Sequence, residues 1–246
     1  MEITNSTIII TGGSSGIGFE MCKQFIDNRN VVIACSRSLD KLEHAKKQLP
    51  NLIAYQCDIS DENHCVNFVR WINLNYPKVN VLINNAAIVS AGNSIDDDFI
   101  LDKLEHETAT NFIAPIRLIK LLYPVLINND NPKIINVTTG LVYVPRANYT
   151  FYNATKAALH SFTQVLRHQL KNKKIQVIEV LFPAVDTPWH NGNPPKIAIS
   201  PEKAVSEMIK GINSNKVEIR IAKVKMLYLL SRIAPDFAFK KINSLN

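Results

Sequence analysis

The sequence predicts an α/β fold: one domain with a doubly wound, seven-stranded parallel sheet and helices on both faces. Three observations predict it. Short apolar runs alternate regularly with longer amphipathic stretches, the βαβα order of an open sheet. Most of the apolar runs are continuous in Val and Ile rather than alternating, as strands buried on both faces require. No internal repeat or linker-like stretch divides the 246 residues, so a single domain spanning 1–246 is expected.

The strands are expected at Thr7–Thr11, Val31–Ser36, Ile53–Gln56, Val79–Asn84, Lys133–Val137, Gln176–Phe182 and Lys216–Ile221. Helical periodicity marks Ile17–Asn28, Leu39–Leu49, Glu62–Leu74, one long run over Leu101–Asn128, then Asn153–Lys171 and Pro201–Ile212. Two regions break this rhythm. Pro183–Pro201 holds five prolines and one glycine, and reads as a long loop after the sixth strand. Loops leaving the carboxyl ends of such strands line the ligand crevice, which makes 183–201 a substrate loop. The C-terminal extension 225–246 is amphipathic over Lys225–Leu245 and broken at Pro235. It can pack on the sheet edge, pair with another subunit or touch a membrane surface, and packing is the simplest expectation.

Composition narrows the function classes. With 46% hydrophobic and 20% charged residues, the chain can bury a sizeable core. The net charge of +7 fits an anionic small molecule. Its cations are scattered apart from short clusters at Lys171-Asn-Lys-Lys174 and Lys240-Lys241, with no interleaving of aromatics and arginines, so no nucleic-acid partner is expected. Cys22, Cys35, Cys57 and Cys65 form no CxxC and no metal-ligand spacing, so no metal is expected and a reducing compartment is implied. The start, Met1-Glu-Ile-Thr-Asn5, lacks the basic and apolar regions of a signal peptide. No apolar run is read as a membrane span. A cytoplasmic protein is expected.

The first strand runs into Thr11-Gly-Gly-Ser-Ser-Gly-Ile-Gly18 and then directly into a helix. Four of the eight glycines lie there. Glycine permits positive φ and close backbone approach, while a helix N-terminus offers free N–H groups to a phosphate. Placed after the first strand, this turn is where a dinucleotide binds. Its spacing, TGxxxGxG, resembles the short-chain dehydrogenase/reductase family, a Rossmann fold, and the resemblance runs over nearly the whole chain. It implies that Gly12, Ser14, Ser15, Gly16, Ile17 and Gly18 hold the adenosine ribose and pyrophosphate, and that Asp58 and Ile59 meet the adenine. Asn84-Asn-Ala-Ala87, with Asn85 and Ala86 at the cofactor, resembles the family's NNAG. Pro183-Ala-Val-Asp-Thr187 resembles PGxVxT, in which Pro183, Val185 and Thr187 border the nicotinamide amide. Ala87 and Ala184 replace glycines and add only a methyl each. More narrowly, Lys47–Asn51, Thr139-Gly-Leu141, Ala154–Phe162 and Leu166–Leu170 resemble DltE-like oxidoreductases of Gram-positive bacteria.

The second strand ends in Ser36-Arg37, where an NAD enzyme of this build usually places an acidic residue for the ribose hydroxyls. A neutral hydroxyl beside a guanidinium suits a 2′-phosphate, so NADP(H) is favoured over NAD(H).

Tyr152 and Lys156 stand four apart and share one helix face. Tyr152 follows Thr139 by 13 residues, the family's spacing between its active-site serine and tyrosine. The resemblance therefore implies a catalytic set of Asn111, Thr139, Tyr152 and Lys156. Hydride transfer to a carbonyl builds charge on oxygen, which a phenol can protonate when an ammonium lies close. A second hydroxyl orients the carbonyl. Lysine also binds the nicotinamide ribose in the family, and asparagine relays protons through a water. Thr139 replaces the family's serine, and Thr138 is an alternative for its role. Tyr149 stands seven residues before Lys156, the spacing of enoyl reductases, but Tyr152 fits the ketone-reducing register. His160 and His168 are read as packing or surface residues, and His190 lies in the substrate loop.

The expected function is an NADPH-dependent oxidoreductase acting on a small carbonyl or alcohol. A 3-ketoacyl-carrier-protein reductase is an alternative, although that group ends in a glycine-rich tail where this chain continues as Val224–Leu230. A non-catalytic, dinucleotide-binding regulatory protein is another. The family commonly pairs through the two long helices, which implies a homodimer or homotetramer.

Overall fold

A computed structural model of the chain describes residues 3–92, 95–190 and 192–244. Met1, Glu2, Leu245 and Asn246 lie outside the described residues, as does Asn191 of the expected substrate loop. Strands β1 (Thr7–Thr11), β2 (Val31–Ser36), β3 (Ile53–Gln56), β4 (Val79–Asn84), β5 (Lys133–Thr139), β6 (Gln176–Phe182) and β7 (Glu218–Arg220) form one parallel sheet. Their spatial order is β3-β2-β1-β4-β5-β6-β7, so the winding reverses between β1 and β4. The expected doubly wound, seven-stranded sheet is therefore observed.

Successive strand residues face opposite sides of the sheet, and here both sides are apolar. Ile8, Ile10, Val32, Ala34, Val81 and Ile83 join one core with helices α1 (Gly16–Asp27), α2 (Leu39–Gln48) and α7 (Pro201–Asn213). Ile9, Ile33, Cys35, Val79 and Leu82 join a second core with α3 (Glu62–Asn75) and α5 (Ala114–Asn128). Two buried faces explain why these strands read as unbroken apolar runs.

Several helix ends shift by one residue, and four elements differ by more. β5 continues two residues beyond Val137, because Thr138 and Thr139 keep their register with Leu181 and Phe182 of β6. β7 is shorter, confined to the three residues that pair with β6. Helix α6 (Thr150–Gln169) begins three residues early. A 3-10 turn at Ala147–Tyr149 leads into it, and Asn153 Nδ2 donates to the Arg146 carbonyl at 2.7 Å. The long run over 101–128 is not one α-helix. It divides into α4 (Ile100–Thr108), a π-helical turn at Ala109–Ile113, and α5. This run is long and apolar enough to cross a membrane by length and composition, which the sequence reading did not expect. Leu118, Leu122 and Leu126 of α5 are fully buried in the second core, so the run's apolar character is used inside the fold.

The C-terminal extension forms α8 (Val224–Ile233) and α9 (Pro235–Asn243), broken at Pro235 as expected. A polar cluster fixes it to the sheet edge. Tyr143 Oη donates to Glu218 at 2.6 Å, Arg220 Nε donates to Tyr143 Oη at 3.1 Å, and the Arg220 guanidinium lies 3.8 Å above the Tyr228 ring. Asn243 Oδ1 accepts from Ala147 N–H at 2.6 Å and anchors α9.

A buried polar chain ties the sheet to α6. Asn84 Nδ2 donates to Asn136 Oδ1 at 2.9 Å, and Asn136 Nδ2 donates to Thr163 Oγ1 at 2.9 Å. Asn136→Ala strands a buried donor on Asn84 and removes one from Thr163. It is expected to cost about 1–3 kcal/mol, read as a lower urea midpoint with an unchanged m-value.

Candidate active site

The carboxyl ends of β1 and β4 diverge at the reversal of strand order, and a cleft of about 650 Å³ opens there. All of the sequence-expected cofactor residues line it: Gly12, Ser14, Ser15, Gly16, Ile17, Gly18, Ser36, Arg37, Asp58, Ile59, Asn85, Ala86, Pro183, Val185 and Thr187. Thr139, Tyr152 and Lys156 line its deeper end. Asn111 lies behind that wall and is fully buried.

The glycine turn is shaped by contact. Gly12 has φ +69°, and a Cβ on Gly18 would sit 2.2 Å from the Gly12 carbonyl oxygen. Only glycine allows the helix start to fold this tightly onto the strand end. Helix α1 begins at Ser15 without a side-chain cap. Ser38, Asp61 and Ser200 cap α2, α3 and α7, whereas α4, α5, α6, α8 and α9 start like α1 with no side-chain cap bond. The first amides of α1 are thus left without a side-chain cap at the turn, where an anionic group would meet them.

At the end of β2, Ser14 Oγ donates to Ser36 Oγ at 3.0 Å, with Arg37 and Lys41 beside them on the cleft wall. Lys41 escaped the sequence reading. Its place in the first turn of α2, just past the Ser36-Arg37 strand end, was the available signal. Asp58 accepts from the Ser60 amide at 3.0 Å and hydroxyl at 2.7 Å. Desolvation alone would raise its pKa, but these bonds and the nearby Arg37 charge hold it below the usual carboxylate value.

The deeper end is built by β5, α6 and the π turn. Tyr152 and Thr139 line this end together, the Thr139 hydroxyl near enough to favour the ionised phenol, and Lys156 Nζ lies 6.0 Å from the Tyr152 ring centre. Lys156 is buried and donates to the Val137 carbonyl at 2.9 Å. Burial depresses its pKa to about 8, partly opposed by the Glu179 carboxylate. Desolvation pushes the Tyr152 phenol well above its ordinary value, against the lowering influence of the Thr139 hydroxyl, and the nearby Glu107 charge adds to the rise. The protein alone therefore keeps Tyr152 protonated, rather than favouring phenolate through the lysine. Tyr149 packs edge-to-face against Tyr152, with centroids 6.4 Å apart, and Trp189 does so from the loop at 5.2 Å.

Thr138 does not share the position of Thr139. Its hydroxyl donates to Glu179 at 2.5 Å, because neighbouring strand residues point to opposite faces. Glu179 is fully buried and also meets His160 Nδ1 at 2.9 Å. His160 is thus an ion-pair partner behind Lys156, where sequence suggested packing or surface. Asn111 is held on both sides: Oδ1 accepts from Ile88 N–H and Nδ2 donates to Ile88 O, each at 2.9 Å. Glu107, one turn earlier and buried, accepts from Ser90 N–H at 2.6 Å, and burial raises its pKa.

The family model described as short chain dehydrogenase matches residues 6–197. The chain belongs to the short-chain dehydrogenase family. This short-chain dehydrogenase is 39% identical over 254 residues to the uncharacterized oxidoreductase DltE of Bacillus subtilis (strain 168), covering 99% of both chains. Among solved structures, it superposes on a short chain dehydrogenase from Burkholderia cenocepacia J2315 in complex with NADP. The TM-score is 0.86 at 20% identity, over 98% of this chain and 99% of the other. It superposes equally well, TM-score 0.86 at 15% identity, on one from Burkholderia phymatum in complex with NAD, over 100% and 98% of the two chains.

His160 yields a pH signature. Its pKa is raised above the ordinary value of 6.5, chiefly by the hydrogen bond to Glu179. A raised pKa contributes stability that is complete below pH 6.5 and fades as pH climbs through the folded value. Urea unfolding of wild type and His160→Gln should show the largest stability gap at pH 6 or below, narrowing at higher pH.

Proposed function

We propose that this short-chain dehydrogenase is an NADP(H)-dependent reductase of apolar carbonyl compounds, with Tyr152 as the proton donor. The Tyr152–Thr139 hydroxyl pair with the buried Lys156 ammonium behind it, at the end of a cleft that starts at the glycine turn, carries this reading. The glycine cradle and the uncapped start of α1 fit a dinucleotide pyrophosphate, and Ser36, Arg37 and Lys41 fit a 2′-phosphate. Pro183, Val185 and Thr187 would border the nicotinamide. When bound, the nicotinamide supplies the hydride.

The chain's own residues handle the proton. Tyr152, held as a phenol, is in the form needed to protonate a carbonyl oxygen as charge builds on it. Thr139 orients that oxygen and shares the developing charge. Lys156, an ammonium at neutral pH, stabilises the phenolate left behind. Asn111 is a positioning residue: its amide fixes Ile88 and thereby the segment after β4 that borders the cleft. The His160–Glu179 pair adds negative charge behind Lys156 and supports its protonated form. Pairing through α5 and α6 into a homo-oligomer is part of the same reading.

The lining of the substrate end favours apolar carbonyls. Leu141, Trp189, Ile197, Met226, Leu227 and Leu230 surround it. A Cβ on Gly140 would lie 3.1 Å from Val224, so α8 rests directly on the strand end that carries Thr139.

Three measurements test this. With NADPH and a panel of aliphatic aldehydes and ketones, Tyr152→Phe should lower kcat about 10²–10⁴-fold and leave NADPH binding intact. NADPH binding by wild type without turnover of any carbonyl would favour the regulatory reading instead. The Arg37→Ala/Lys41→Ala double variant should raise KM for NADPH about 10–100-fold and change KM for NADH little. The reduction rate should also fall as pH passes about 8, the value to which burial brings Lys156. The required ammonium is present below that pH and lost above it.

A further inference from the structure

The α8–α9 hairpin presents a surface that its packing does not explain. Ile233 is 81% exposed, Met226 62%, Phe237 59%, Leu229 58% and Phe239 48%, all within 14 residues of chain. On α8, Met226, Leu229 and Ile233 follow helical spacing and share one stripe. Over 223–244 the chain carries Lys223, Lys225, Arg232, Lys240 and Lys241 against a single carboxylate, Asp236. The hairpin is held in place by Tyr143, Arg220 and Asn243. Its outward apolar face is therefore a fixed surface.

That surface is continuous with the cleft. Met226, Trp189 and Ile197 each line the cleft and are also more than a third exposed, so they form an apolar rim at its mouth. Lys223 and Lys241 line the cleft at the same hairpin. An apolar passage thus opens onto an apolar, cationic surface.

We infer that the α8–α9 hairpin docks the mouth of the cleft on an anionic bilayer surface. On the carbonyl-reductase reading above, the substrate is then a long-chain lipid carbonyl drawn from that surface. A basic amphipathic helix with exposed large apolar residues binds by burying them at the headgroup boundary while its cations meet anionic lipids. A second copy of the chain fits less well. A two-fold contact brings the same patch against itself, which would oppose five cations with five and close the mouth.

The test uses the full chain and vesicles of phosphatidylcholine, with or without 30% phosphatidylglycerol. Flotation with the anionic vesicles should exceed that with neutral ones by about tenfold or more. Leu229→Gln/Ile233→Gln/Phe237→Gln, which changes no charge and no cleft-lining residue, should abolish it while NADPH binding and the circular dichroism spectrum stay unchanged. Lys171→Glu/Lys173→Glu/Lys174→Glu, on a distant exposed cluster, should float like wild type. Equal loss in both variants would reduce the effect to bulk charge and overturn the proposal. So would absence of flotation, or a wild-type dimer that the Gln variant splits and that does not float.

For the substrate, the Gln variant should reduce hexadecanal in vesicles at least about fivefold more slowly and reduce butanal at the wild-type rate. Equal rates on both aldehydes overturn the lipid-substrate claim. If wild type turns over neither aldehyde, the reductase reading fails and the lipid-substrate claim with it, while flotation still decides the docking claim.

Discussion

A knot of hydrogen bonds on Thr11 holds the place where the sheet reverses its winding. Its hydroxyl accepts from the Asn85 and Ala86 amides, each at 3.0 Å, and its carbonyl accepts from Asn85 Nδ2 at 3.0 Å. β1 and β4 are neighbours whose chains leave in opposite directions, which opens the crevice between them. Without this knot the two departing segments would be free to splay. With it, Ala86 is pressed against Gly12 and Asn85 against Gly18, at distances that exclude any Cβ there. The glycine turn, the start of α1 and the path to Ile88 all take their position from it.

The second organising feature is α6, which serves both the core and the cleft. One of its faces reaches the cleft through Tyr152 and Lys156. A turn further on, His160 grips Glu179, and beyond that Thr163 closes the Asn84–Asn136 chain. These two polar contacts, with the Lys156 bond to the Val137 carbonyl, fix the rotation of the helix about its axis. Apolar packing alone would hold that rotation less tightly, since apolar contact is non-directional.

The sheet was largely legible because burial on both faces writes an unmistakable pattern, and five of the seven strands match their expected ends. The glycine turn and the Tyr152–Lys156 pair were legible because each sits at a fixed offset from a strand end. What escaped depends on contacts between residues far apart in sequence. Glu179 reads as an interruption in an apolar strand until His160, 19 residues earlier, is seen beside it. Lys41 reads as a surface helix residue until the cleft brings it beside Ser36. The places of α8 and Trp189 on the cleft wall were hidden for the same reason. The division of 101–128 was invisible because a π turn preserves apolar character while changing only the hydrogen-bond ladder.

That π turn has a consequence for how the family can vary in length. The Ala114 amide bonds back to the Ala109 carbonyl, five residues earlier rather than four. One residue is thus accommodated without an added turn. Removing or inserting a single residue between Ala109 and Ile113 would rotate α5 by about 100° relative to α4. Leu118 and Leu122 would leave the core as Asn111 left Ile88. The stretch behaves as a length-locked spacer, whereas the Pro183–Pro201 loop is closed at its base by the Val185–Ile199 bridge, beyond which a change of length moves no helix of the core.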